Sequence, residues 1–311
     1  MNTCIDQNLV GTTVTRYAIV DLIASGSMGH VYRARDERLQ RNVAIKVVGR
    51  QTESRLRLEH DLMGEARALS RLTHPHVAAL YDYLTESGRD FIVMELVPGS
   101  TLTDILTAGP LPFDEVLRLG RQMIQGLAAA HAAHIVHSDI KPANIKVTAE
   151  GELKILDFGV ARLMPMGTAS DASTTSTASF GPVGTIPYMP PEQLRGARAD
   201  ERNDIFSAGA VLYEMATGNP PFAQKTMAEV IDAILHQQPA RPSALNPRVP
   251  RAFDRLVARA MAKDPLKRYP SASDVDAALV RLAAARRRAC RRVETVATSR
   301  DMSSSDHCGC W

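Results

Sequence analysis

Between Tyr17 and Val48 the apolar positions alternate with polar ones or gather in short β-branched runs. The stretches 17–23, 31–34 and 42–48 therefore predict three strands. Residues 53–72 switch to helical spacing, with Leu62, Ala66, Leu69 and Leu72 on one face and Pro75 as the stop. Residues 80–84 and 91–96 predict two further strands joined at Ser87 and Gly88. Beyond Pro98 and Gly99 the period becomes helical over 101–107, 113–133, 204–217, 226–236, 251–262 and 273–284. Short strands near 145–148 and 153–156 flank a turn at Glu150 and Gly151. Strands first and helices afterwards predict an α+β chain of two lobes. Residues 164–183 are rich in Ser, Thr, Ala and Gly without a period, the composition of a long functional loop.

The composition adds a boundary. Hydrophobic residues make up 45% and charged ones 23% of 311, a globular balance. The net charge of +3 is unevenly placed. Residues 281–311 carry seven Arg against three acids, so the preceding 280 hold 30 basic and 31 acidic side chains. The body is thus no bulk polyanion binder, and no clear nucleic-acid or membrane partner is expected. Cys4, Cys290, Cys308 and Cys310 lie outside the span 5–289, which excludes a disulfide framework there. With no leader-like start and no apolar run of 18 residues, a cytoplasmic location is expected. The expected division is an extension over 1–16, lobes over 17–97 and 98–283, and a disordered basic tail over 284–311.

Five sequence features carry candidate chemistry. Between two strands lies a turn with Gly26, Ser27, Met28 and Gly29, where glycine lets backbone N–H groups approach phosphate oxygens. Taken alone it fits a plain hairpin equally well. Lys46, on the apolar strand Val43-Ala-Ile-Lys46, needs a partner if buried, and Glu65 on the following helix can hold it against nucleotide phosphates. In water at a sheet edge, the same Lys would carry no function. Asp139 can accept the proton of an attacking hydroxyl, and Asn144 and Asp157 are hard oxygen ligands suited to Mg²⁺. An Asp-Phe-Gly tripeptide, as at Asp157, is by itself usually a turn.

The order and spacing of all five together match the protein-kinase signature set. Over about residues 17–283 the chain resembles the eukaryotic-like (Hanks-type) serine/threonine protein kinases of bacteria, and its Arg-over-Lys bias (30 to 7) suits a GC-rich genome. The resemblance extends to Gly184–Glu192, the end of an activation segment, to Asp204–Gly209, the start of an anchoring helix, and to Lys263–Arg268, whose Arg268 would pair with Glu192. It implies a bilobal fold with ATP between the lobes and Mg²⁺, or Mn²⁺ in its place. Ile23, Gly26, Ser27, Met28, Gly29, Val31 and Ala44 would enclose the nucleotide, with Met94 as gatekeeper and Glu95 to Val97 as the hinge for adenine. Asp139, Lys141, Lys46 and Glu65 would be catalytic, and Asn144 and Asp157 would hold metal. Lys141, two residues after Asp139, and Thr185 fit transfer of the γ-phosphate to Ser or Thr of a protein, with self-association for autophosphorylation. A nucleotide-binding scaffold without transfer and a small-molecule kinase are the competing readings.

Three departures stand out. Ala24 replaces the first loop glycine. Lys146 takes a place beneath adenine where Leu is frequent, so its stem is expected to pack there with the ammonium in water. Ser138 replaces an Arg that pairs with a phosphorylated loop residue in many members. His137, Leu69, Leu80 and Phe158 are expected to form an apolar stack anchored by Asp204, and His74 and His76 have no metal-ligand company. Arg281 to Arg292 is read as a solvated basic cap at the end of a helix, and Cys308 with Cys310 as a minor metal or redox candidate. Because Ser138 cannot form the ion pair, loop phosphorylation is not the main switch for Asp139. Replacing Thr168, Ser170, Ser173, Thr174, Thr175, Ser176, Thr177 and Ser179 together with Ala is expected to lower kcat by well under roughly 100-fold; a loss of that size overturns the expectation.

Overall fold

A six-stranded antiparallel sheet forms the N-terminal lobe, in the order β1-β2-β3-β4-β6-β5. Its strands are β1 (Thr13–Val14), β2 (Tyr17–Gly26), β3 (Gly29–Asp36), β4 (Arg41–Val48), β5 (Leu80–Glu86) and β6 (Arg89–Glu95). The computed structural model describes residues 8–26, 29–48, 69–158 and 186–303. The β5–β6 turn is built as the sequence predicts, with positive φ at both Ser87 and Gly88.

Register explains which residues face the cleft. Ala34 pairs with Val43 and Tyr32 with Ile45, and these four join Tyr17, Ile19, Phe91 and Val93 in a core on one face. The intervening positions face the other way. Val31 pairs with Lys46, Lys46 with Ile92, and Ala44 with Met94, which gathers them beneath the sheet. Both faces of β4 are covered, so Val43, Ala44, Ile45 and even Lys46 are buried.

The second lobe is mainly helical. Its helices are α1 (Leu102–Leu106), α2 (Phe113–Ala132), α3 (Pro191–Leu194), α4 (Glu201–Thr217), α5 (Met227–His236), α6 (Pro242–Leu245), α7 (Arg251–Ala260) and α8 (Ala272–Ser303). A small sheet, β7 (Ser100–Thr101), β8 (Ile145–Val147) and β9 (Leu153–Ile155), lies against the cleft. Central to the lobe is α4, in which every residue from Asn203 to Thr217 except Glu214 is buried. Asp200 and Asn203 close its N-terminus as a capping box, and Gly218 ends it at φ 77°. Gly209 lets α7 approach: a Cβ there would stand 2.8 Å from that of Ala260.

Two expectations about the ends change. The polar first residues contribute β1, whose Thr13 and Val14 pair with Ala18 and Tyr17. The tail expected to be disordered from 284 instead continues α8 through Ser303. No Gly or Pro interrupts residues 272–303, and Ala and Arg favour helix. Arg121 meets Asp276 at 3.0 Å and Arg286 meets Asp114 at 2.8 Å, while the Arg286 guanidinium covers the Phe113 ring. The head of the basic run is therefore docked on α2 rather than only solvated. Residues 304–311, with Cys308 and Cys310, and Cys4 lie outside the described residues. No described helix is long and apolar enough to cross a membrane.

Arg268 is the largest fully buried side chain among the described residues. Its guanidinium grips both Glu192 oxygens at 2.6 and 2.7 Å. It also donates to the carbonyls of Ala262 and Arg202 and lies over the Phe206 ring. A bidentate pair so fully satisfied tolerates burial, but neither partner alone does. Arg268→Met is expected to lower the unfolding free energy by about 3–5 kcal/mol, read from urea denaturation. A loss below about 1 kcal/mol would mean that the pair does not hold α3 to the lobe.

Candidate active site

Asp204, in the first turn of α4, is wholly buried and accepts three hydrogen bonds at 2.8 Å. Two come from the backbone N–H groups of His137 and Ser138, and the third comes from His131 Nε2 of α2. These bonds hold the loop 137–141 in a shape that includes φ 65° at Ser138, a conformation costly for a residue other than glycine. Gln193 Nε2 adds a bond to the Ser138 carbonyl at 3.3 Å.

The loop then delivers Asp139. Its N–H donates to His137 Nδ1, so the other ring nitrogen of His137 carries the proton that bonds the Leu156 carbonyl at 2.8 Å. The His137 ring meets Phe158 edge-on, with centroids 4.6 Å apart. Leu69 and Phe158 share one core cluster, and Leu80 packs against it. His137 is thus structural, as expected. Asp139 Oδ2 receives Lys141 Nζ at 2.8 Å and Asn144 Nδ2 at 2.9 Å. Asp139 Oδ1 is buried and lacks a hydrogen-bond partner among the described residues. A buried, unpaired carboxylate oxygen is costly and marks a position awaiting a donor.

Across the cleft, Lys46 Nζ lies 3.0 Å from Asp157 Oδ2. The expected partner Glu65 lies outside the described residues, as do Ser27, Met28 and Thr185 and the eight loop hydroxyls. Asp157 has φ 57°, the second strained residue of the site. Asn144 donates through Nδ2 to the Asp139 carbonyl and carboxylate, which turns its Oδ1 into the atom available to a cation. Gly29 has φ 110°, and a Cβ there would strike the Val47 carbonyl. Its register partner is Gly26, while Ala24 pairs with Val31 directly after a β-bulge between Leu22 and Ala24. Ile23 remains exposed on β2, whereas Val31, Ala44 and Met94 form the apolar patch under the sheet. Glu95 ends β6 with its N–H donating to the Ala79 carbonyl beside β5, and Val97 follows it, buried.

A model of the protein kinase domain matches residues 17–278. The chain belongs to that family. The serine/threonine-protein kinase PrkC of Bacillus subtilis is 38% identical over 273 residues, covering 86% of this chain and 41% of PrkC. PknL of Mycobacterium tuberculosis is 39% identical over 276 residues, covering 86% of this chain and 66% of PknL. The chain thus spans about two fifths of PrkC and two thirds of PknL. A crystal structure of the Mycobacterium tuberculosis PknI kinase domain superposes with a TM-score of 0.67 at 25% identity, covering 88% of this chain and 98% of that one.

Within this kinase domain, Lys146 departs from expectation. Its ammonium, expected in water alone, donates to the Val97 carbonyl at 3.0 Å, and the side chain is half-buried. Residues 95–97 run close above β8, so the nearest acceptor is backbone. Nor did the sequence single out His131 or Lys154, which bonds the Glu95 carboxylate at 2.9 Å. Such contacts join residues far apart in the chain and leave no local pattern. Glu214 and Tyr188 form a comparable pair at 2.6 Å, with burial pushing both groups up. Replacing Asp204 with Ala leaves two backbone donors and an imidazole unpaired. An unfolding free-energy loss of about 3 kcal/mol is expected, with lost hydrogen-exchange protection at His137 and Ser138. Unchanged exchange at those amides would show that another group holds the loop.

Proposed function

We propose that the chain is an ATP-dependent serine/threonine protein kinase that transfers the γ-phosphoryl group to protein hydroxyls, itself included. The observation that carries this reading is the state of Asp139: one oxygen held by Lys141 and Asn144, the other buried and without a hydrogen-bond partner among the described residues. That arrangement leaves Oδ1 to accept a hydrogen bond from an incoming hydroxyl and orient its oxygen for attack.

The donor set suits a magnesium nucleotide. Asp157 and Asn144 Oδ1 are the residues that would hold the metal, and Lys46, already beside Asp157, would meet the phosphates. Bound Mg²⁺–ATP supplies the phosphoryl group and neutralises charge that develops on it. The rest falls to this chain. Lys141 lies where it can balance the transferring phosphate and the Asp139 charge together. Gly26 and Gly29, which lack a Cβ, would let backbone donors approach the phosphates. Glu95 and Val97 offer backbone groups to the base. Mn²⁺ has the same oxygen preference and would serve in place of Mg²⁺.

Purified protein with radiolabelled ATP and a generic protein acceptor tests the proposal. Wild type is expected to label itself and the acceptor, and Asp139→Asn to lose at least roughly 100-fold of that rate. Nucleotide binding without transfer would favour a scaffold. Transfer only to a small alcohol or amine would favour a small-molecule kinase.

A further inference from the structure

Lys146 occupies β8 opposite Thr101 of β7 and Lys154 of β9. Two ammonium groups directly across an antiparallel ladder repel one another. Each here has its own acceptor, and both acceptors belong to the short segment that joins the lobes. Lys146 donates to the Val97 carbonyl at 3.0 Å, and Lys154 lies 2.9 Å from the Glu95 carboxylate. Glu95 also accepts the Ala79 N–H at 3.2 Å. Residues 95–97 are therefore held at both ends by lysines from one hairpin.

Lys146 further lines an open cavity of about 460 Å³, together with Leu22 and Ile23 of β2 and Leu96 and Val97, while Asp21 and Arg33, paired with each other at 2.6 Å, also line it. A cavity of that size suits a small molecule. The acceptor of Lys146 is a neutral carbonyl, so its charge is not cancelled at that contact. Asp104, which Lys146 attracts, is engaged mainly by the Thr101 hydroxyl and N–H. A tethered ammonium beside an apolar wall is an arrangement that attracts the face of an electron-rich ring.

We propose that Lys146 is a positioning residue for the nucleotide base: its stem forms part of the base floor, and its ammonium, anchored on Val97, supplies a fixed cation beside the ring. The inference rests on the nucleotide-binding reading above. Because Val97 already satisfies one N–H of the ammonium, an arriving base need not strip it of a hydrogen bond. The contribution belongs to the base, not to the phosphates, and so does its test.

Calorimetric titration of the full chain with adenosine, and separately with ADP and Mg²⁺, separates the two. Lys146→Met is expected to weaken both ligands by the same factor, roughly three- to tenfold. Lys146→Gln, which keeps a donor for Val97 but loses the charge, is expected to match Lys146→Met. Lys146→Arg is expected to restore most of the affinity. Lys46→Met provides the contrast: it should weaken ADP and spare adenosine. The proposal is overturned if folded Lys146→Met or Lys146→Gln binds adenosine like wild type, or if only ADP weakens. Should Lys146→Met fail to fold, Lys146→Gln and Lys146→Arg decide alone. Wild type that binds neither ligand defeats the nucleotide reading and this inference together, whereas normal wild-type binding with unaffected variants defeats this inference only.

Discussion

A single buried carboxylate organises the centre of this molecule. Asp204 sits on a helix surrounded by protein, where an ionised group survives only if donors replace its water. Three donors do so, and together they meet two requirements. His131 ties α4 to α2, while the N–H groups of His137 and Ser138 tie α4 to the loop that presents Asp139. From there the connection passes through the His137 ring to Leu156 and so to the turn at Asp157. The strained backbone at Ser138 and Asp157 persists because these neighbours over-determine it. At the same end of α4, the Arg202 carbonyl accepts from Arg268, which brings Glu192 under the same control.

The two lobes contribute different kinds of precision. In the sheet, precision comes from parity: a residue's odd or even place on β3, β4 or β6 decides whether it builds the core or the cleft. A one-residue slip would exchange Lys46 for Val47 beneath the sheet, so the apolar core protects the position of the lysine. In the helical lobe, precision comes from hydrogen bonds to irregular backbone. The site lies where the two meet, and Glu95 to Val97 must satisfy both.

Much of this was legible in the chain. The strands from β2 to β6 and the longer helices announce themselves by period, because each buries one face. Lys46, Asp139, Asn144 and Asp157 were legible because the order and spacing of the motifs are improbable together. What stayed hidden has no local signature. β1 and β7 are two residues each, too short for a pattern. The continuation of α8 past 284 was hidden by its Arg-rich composition, which reads as solvated until Asp114 and Phe113 are placed beside Arg286. The destination of the Lys146 ammonium depends on how near the Val97 carbonyl comes, a distance set by the joining of the lobes.

The pair formed by Lys46 and Asp157 spans the cleft, one member on each lobe, with the lysine almost fully enclosed. Neither ion can be left alone there without a heavy desolvation cost. On the nucleotide reading, a charged guest would enter by substitution: its anion would replace Asp157 beside Lys46 as its cation replaced Lys46 beside Asp157. On that reading, a guest carrying only one of the two charges would part Lys46 from Asp157 without offering a new partner to both.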